Sequence, residues 1–134
     1  PFPPRAEHSL RILIMDDEES MRDTIVRTLH ELGHMAGGFS DGESAILGYK
    51  EARKFARGWD LVLLDLTIPG GMGGRETLAA LREIDPGVRA IVMTGYTNDE
   101  IMTNYASAGF RAVLPKPFTS DKLLSAINET MAAD

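Results

Sequence analysis

The chain has 134 residues, 43% of them hydrophobic and 25% charged, and it has no cysteine. That length suits one domain able to bury a full hydrophobic core. The missing thiols exclude disulfides and thiolate metal sites, a usage compatible with the cytoplasm. A net charge of −6 argues against direct nucleic-acid binding, and no apolar run approaches the roughly 18 residues a membrane span needs.

Residues 1–9, opening Pro1-Phe2-Pro3-Pro4, lack an apolar core segment and read as a Pro-rich linker or lead-in cut from something longer. The domain is expected over residues 10–132. Within it, short apolar runs alternate with longer segments of helical period, as in repeated βαβ units. Leu10–Met15 is the first strand. Met21, Ile25, Leu29 and Leu32 then mark a helix face that Gly33 is placed to stop. Met35–Phe39, with two glycines, is a weak second strand, and Ala45, Tyr49, Ala52 and Ala56 mark a second helix beginning after Ser40-Asp41.

Leu61–Leu64 is the third strand, and Leu78, Leu81 and Ile84 mark a helix ended by Asp85-Pro86-Gly87. Ala90–Met93 precedes a helix marked by Ile101, Tyr105 and Ala108 and ended by Gly109. Ala112–Leu114 precedes the last, marked by Leu123, Ile127 and Met131 and N-capped by Thr119 or Ser120. Five such units predict a flavodoxin-like, doubly wound α/β sandwich with a parallel sheet in the order 2-1-3-4-5. In that architecture function sits beyond the carboxyl ends of the strands, near the switch point between strands 1 and 3.

Chemistry-bearing residues stand at four of those ends. Strand 1 runs into Asp16-Asp17-Glu18-Glu19, strand 3 ends at Asp65, strand 4 at Thr94, and strand 5 runs into Pro115-Lys116-Pro117. The four acids alone equally suit a solvated first helical turn, where carboxylates favour the helix dipole. A carboxylate ending a fully apolar strand is different. With strands 1 and 3 adjacent, Asp16, Asp17 and Asp65 converge, and such a group needs a cation. Oxygen donors and phosphate chemistry favour Mg²⁺. Lys116-Pro117 is a candidate cis peptide whose turn would aim the ammonium at the acids. Together the parts suit phosphoryl transfer to Asp65, with Lys116 and Mg²⁺ offsetting charge and Thr94 donating to a phosphoryl oxygen.

The segments Ile14-Met15-Asp16-Asp17-Glu18, Leu63-Leu64-Asp65-Leu66-Thr67-Ile68-Pro69, Met93-Thr94-Gly95 and Leu114-Pro115-Lys116-Pro117-Phe118 resemble, in order and spacing, the receiver domains of two-component response regulators. The resemblance spans residues 10–131. It implies that Asp65 is phosphorylated from a phosphohistidine on a histidine kinase. It further implies that Mg²⁺ is held by Asp17, Asp65 and the Thr67 main-chain carbonyl, with Asp16 acting through water. Thr94 and Lys116 would contact the phosphoryl oxygens, and Tyr96 would screen the acyl phosphate. Such a domain is no turnover enzyme by itself. It catalyses only its own phosphorylation and slow dephosphorylation, and is a monomer or weak homodimer.

Two features depart from the family pattern. Its aromatic residue three positions before the Lys is Val113 here, which has no ring to relocate, so the expected output change is smaller or runs through loops. The stretch Pro69-Gly70-Gly71-Met72-Gly73-Gly74 is longer and richer in glycine than usual, and reads as conformationally free. No nucleotide-binding glycine pattern is present in it. His30-Glu31-Leu32 lacks the residues that would make it a kinase phosphoacceptor motif, so His30 is expected to be simply exposed. Gly33 separates His30 from His34, against a metal pair.

The lead-in and the Leu66–Gly74 segment resemble receivers at the C-terminus of hybrid sensor histidine kinases, with a histidine phosphotransfer protein as a possible next acceptor. A stand-alone regulator is the rival. An aspartate-nucleophile phosphohydrolase would need an Asp where Thr67 stands, and a flavodoxin would not place acids after strand 1.

Overall fold

The computed structural model describes residues 8–95 and 99–132. The elements in chain order are β1 (Arg11–Met15), α1 (Glu19–Glu31), β2 (Met35–Phe39), α2 (Gly42–Lys54), β3 (Leu61–Asp65), α3 (Gly74–Ile84), β4 (Ala90–Thr94), α4 (Asp99–Asn104), β5 (Ala112–Pro115) and α5 (Ser120–Ala132). All strands pair in parallel, in the order β2-β1-β3-β4-β5. This is the expected flavodoxin-like sheet, and every strand falls within a residue of its expected bounds.

Alternation along each strand sends side chains to two separate layers. Ile12, Ile14, Leu61, Leu63, Ile91 and Met93 face Ile25 and Leu29 of α1 and Leu123 and Ile127 of α5. Leu13, Met15, Val62, Leu64, Ala90 and Val92 face Ala45 and Tyr49 of α2, Leu78 and Leu81 of α3, and Ile101 of α4. β3 and β4 are buried along their whole length, which is why their sequences show no polar alternation. Among the described residues no helix is long and apolar enough to cross a membrane.

The helix stops follow from backbone chemistry. At the end of α1, Gly33 (φ +98°) donates its N–H to the His30 carbonyl at 3.0 Å, and His34 donates to Leu29 at 2.9 Å. This paired closure on a left-handed residue is the Schellman arrangement. Thr119 caps α5, its hydroxyl accepting the Lys122 N–H at 3.2 Å. Asp41 caps α2, accepting the Ser44 N–H at 2.8 Å.

α4 is shorter than its periodicity suggested. Regular helix ends at Asn104, and Tyr105 and Ala108 lie in turns that close on Gly109 (φ +100°) by the same paired bonds, Gly109 to Ala106 at 3.0 Å and Phe110 to Tyr105 at 2.9 Å. The Thr103 and Ser107 hydroxyls bond back to the Glu100 and Asn104 carbonyls at 3.1 and 2.9 Å. Such local bonds compete with a helical ladder.

The glycine-rich loop differs from expectation in a second way. A Cβ on Gly73 would lie 2.4 Å from the Leu66 carbonyl oxygen, and one on Gly74 would lie 2.8 Å from that of Asp65. These two glycines therefore serve close backbone packing behind the end of β3, not conformational freedom. Only Gly70, at φ +72°, uses the left-handed region.

Candidate functional site

Asp16 is the first residue beyond β1 and is fully buried. Its backbone and side chain are engaged on every side. Its N–H donates to the Phe39 carbonyl at 3.0 Å, and its own carbonyl accepts from Arg22 Nη1 at 2.8 Å. Oδ1 accepts the Glu18 N–H at 3.0 Å, and Oδ2 pairs with Lys116 Nζ at 2.6 Å. Asp65 closes β3 and is 7% exposed. Its Oδ2 accepts from Lys116 Nζ at 3.0 Å and its Oδ1 from the Thr67 N–H at 3.3 Å.

Asp17 is exposed, and its carboxylate lies with those of Asp16 and Asp65 in a group offering oxygen atoms within 4.8 Å of one another. Thr94 is buried at the end of β4, and its carbonyl accepts the Lys116 N–H at 2.8 Å. That bond ties the residue following β5 to its neighbouring strand. The Lys116–Pro117 peptide is cis, as anticipated. The fold thus brings Asp16, Asp17, Asp65, Thr67, Thr94 and Lys116 to one edge of the sheet. Tyr96, the remaining residue singled out from sequence, lies outside the described residues.

Burial pushes the Asp65 carboxyl above its ordinary range; Lys116 pulls it back down, and the neighbouring Asp16 adds to the rise. Burial by itself disfavours the Lys116 ammonium, but its bonds to Asp16 and Asp65 outweigh that, so its pKa is raised and it stays charged. Three carboxylates against one ammonium leave a formal excess of two negative charges. The donors are all oxygen, with no thiolate or imidazole among them. That set fits a hard divalent cation such as Mg²⁺ rather than zinc.

The two histidines have clear outcomes. His30 is exposed on α1, whereas His34 is buried, its Nδ1 accepting the Leu10 N–H at 3.0 Å. The two are not partners. Val113 is half-buried on β5 beside the α2–α3–α4 layer. Sequence reasoning missed Arg22, which gives no signal beyond being one cation in an amphipathic helix.

Residues 12–128 match the response regulator receiver domain family. The chain belongs to that family. Among its relatives, protein CcdB of Bacillus subtilis is 34% identical over 125 residues, an alignment covering 90% of this chain and 97% of that one. The CAI-1 autoinducer sensor kinase/phosphatase CqsS of Vibrio cholerae is 29% identical over 126 residues, covering 92% of this chain but 18% of the kinase. The solved structure of chemotaxis protein CheY4 from Vibrio cholerae superposes with a TM-score of 0.80 at 25% identity, covering 92% of this chain and 99% of that one. This receiver domain therefore aligns both with a whole small protein and with a fraction of a sensor kinase.

Proposed function

We propose that this receiver domain is a phosphoacceptor in a two-component relay, with Asp65 as the residue phosphorylated. The observation that carries the reading is the setting of Asp65. It is a nearly buried carboxylate held at one oxygen by Lys116 and at the other by a backbone N–H, with two further carboxylates alongside. An Asp65 oxygen attacks the phosphorus of a partner's phosphohistidine, and a phosphorus–oxygen bond forms. The phosphorus–nitrogen bond breaks, its electron pair returning to a ring that carries a proton on its other nitrogen, so a neutral imidazole leaves. Lys116 offsets charge on the incoming oxygens, and the Thr94 hydroxyl donates to one of them.

Asp17, Asp65 and the Thr67 carbonyl would hold Mg²⁺, with Asp16 acting through water. When bound, the ion neutralises charge on the transferred group. Alone, the domain promotes only its own phosphorylation and slow dephosphorylation. Its donor is a histidine kinase, with a histidine phosphotransfer protein as the next acceptor if the domain relays.

Incubation with acetyl phosphate and Mg²⁺ tests this. One stable phosphate per chain is expected, absent in Asp65→Asn. Continuous release of inorganic phosphate instead would point to a phosphohydrolase, although Thr67 offers no general acid at the position that chemistry uses. No labelling at all overturns the reading.

For the parent context, the Leu66–Gly74 segment and the match to a sensor kinase support a receiver within a hybrid histidine kinase. The near-complete coverage of a small relative supports a stand-alone regulator. The mass of the native protein detected in its own cells separates the two.

A further inference from the structure

β2 carries two adjacent glycines, and packing gives each a different neighbour. A Cβ on Gly37 would sit 2.7 Å from the Trp59 ring. On the opposite face, a Cβ on Gly38 would sit 2.8 Å from Arg22 Cγ and 2.9 Å from its Cδ. Gly38 is not among the residues with a left-handed backbone, so the constraint there is space. The arginine stem lies across the bare strand, and its Nη1 reaches the Asp16 carbonyl at 2.8 Å.

That carbonyl belongs to the peptide joining Asp16 to Asp17. Fixing its oxygen fixes the peptide plane before Asp17, and the Glu18 N–H held by Asp16 Oδ1 at 3.0 Å anchors the peptide after it; between two anchored planes the Asp17 side chain leaves the backbone in one direction. The Asp16 side chain is already held by Lys116 and the Glu18 N–H. Asp17 is the exposed member of the cluster, so its aim depends on the backbone beneath it. We propose that Arg22, seated over Gly38, is a positioning residue that orients Asp17 for cation binding, an inference that rests on the reading of this site as a Mg²⁺ site. In that role Arg22 acts through the Asp16–Asp17 peptide and not by contact with the ion.

The sign of the effect separates positioning from charge. As a through-space cation beside three carboxylates, Arg22 repels a divalent ion, so its removal by charge alone tightens binding. As a positioning group, its removal weakens binding. Outer-shell partners of metal ligands typically contribute about 10- to 100-fold in affinity.

The experiment is a calorimetric Mg²⁺ titration of the whole domain at moderate salt, with thermal unfolding of each variant in the absence of Mg²⁺. Arg22→Met keeps an apolar stem and is expected to bind Mg²⁺ at least tenfold more weakly. Gly38→Ala keeps the arginine and its charge but displaces the stem, and is expected to weaken binding in the same direction. Arg22→Lys is expected to recover part of the loss. Unchanged or tighter binding in Arg22→Met overturns the proposal. If Arg22→Met fails to fold, Gly38→Ala at wild-type affinity overturns it instead. Absence of saturable binding in the unmodified domain defeats the proposed function itself, whereas wild-type binding that the variants retain defeats only the role of Arg22.

Discussion

Lys116 holds two carboxylates with one ammonium, 2.6 Å from Asp16 and 3.0 Å from Asp65, with its own side chain 12% exposed. Removing the cation leaves two acids desolvated and facing each other. Lys116→Met is therefore expected to lose roughly 3 kcal/mol of stability at neutral pH, measured by urea unfolding. The loss should shrink as pH falls. Burial raises the Asp65 pKa and Lys116 pulls it down, so without Lys116 the folded chain keeps that proton to a higher pH than the wild type does, and as pH drops the variant gains more folding stability than the wild type. His34 works in the opposite direction. Burial depresses its pKa below the ordinary 6.5, with Asp60 opposing. Below that value the unfolded chain takes up a proton that the folded chain resists, so stability falls as pH drops from about 6.5. Unfolding midpoints between pH 7.5 and 5.5 should show this slope, and His34→Asn, which keeps an acceptor for the Leu10 N–H, should flatten it. These roles differ in how visible they were. Asp65 announced itself as the one acid ending an apolar strand, and Lys116 by its prolines. His34 did not, because nothing in a sequence tells a histidine that accepts a distant backbone N–H from an exposed one.

Among the elements, α2 ends unusually. Ala56 sits at φ +57°, where the closing bonds run from Ala56 to Arg53 at 3.3 Å and from Arg57 to Ala52 at 2.9 Å. This is the same paired closure that glycine serves at positions 33 and 109, here made by a residue with a Cβ. Ala56→Gly is expected to raise stability by about 1 kcal/mol, read as a higher unfolding midpoint with an unchanged denaturant slope. Gly74→Ala should act in reverse, because its Cβ meets immovable backbone behind Asp65. The order of the elements was legible because the buried strands are nearly uninterrupted apolar runs and the helices keep an apolar period. The end of α4 was not: the Asn104 carbonyl still accepts the Ala108 N–H at 3.1 Å, but the chain then closes on Gly109 through the Gly109–Ala106 and Phe110–Tyr105 bonds, and periodicity alone does not show where that closure begins. Nor was the reason for the glycines in β2, which depends on Trp59 and Arg22 arriving from other parts of the chain.

For the molecule as a whole, an ion bound only by the folded state raises the stability of every part at once. At a hundred times its dissociation constant Mg²⁺ should add about 2.7 kcal/mol, seen as a concentration-dependent rise in Tm. Asp65→Asn, lacking one carboxylate, should show a smaller rise. The acid-rich edge of the sheet was readable because parallel topology gathers strand ends that are scattered in sequence. The pairing of Lys116 with Asp16 spans 100 residues of chain. Contacts that distant in sequence are associated with slow folding. During synthesis, a nascent chain lacking β5 would carry Asp65 without its cation. On the proposed reading, the site can therefore take up a phosphate only after β5 and the turn carrying Lys116 have joined the sheet.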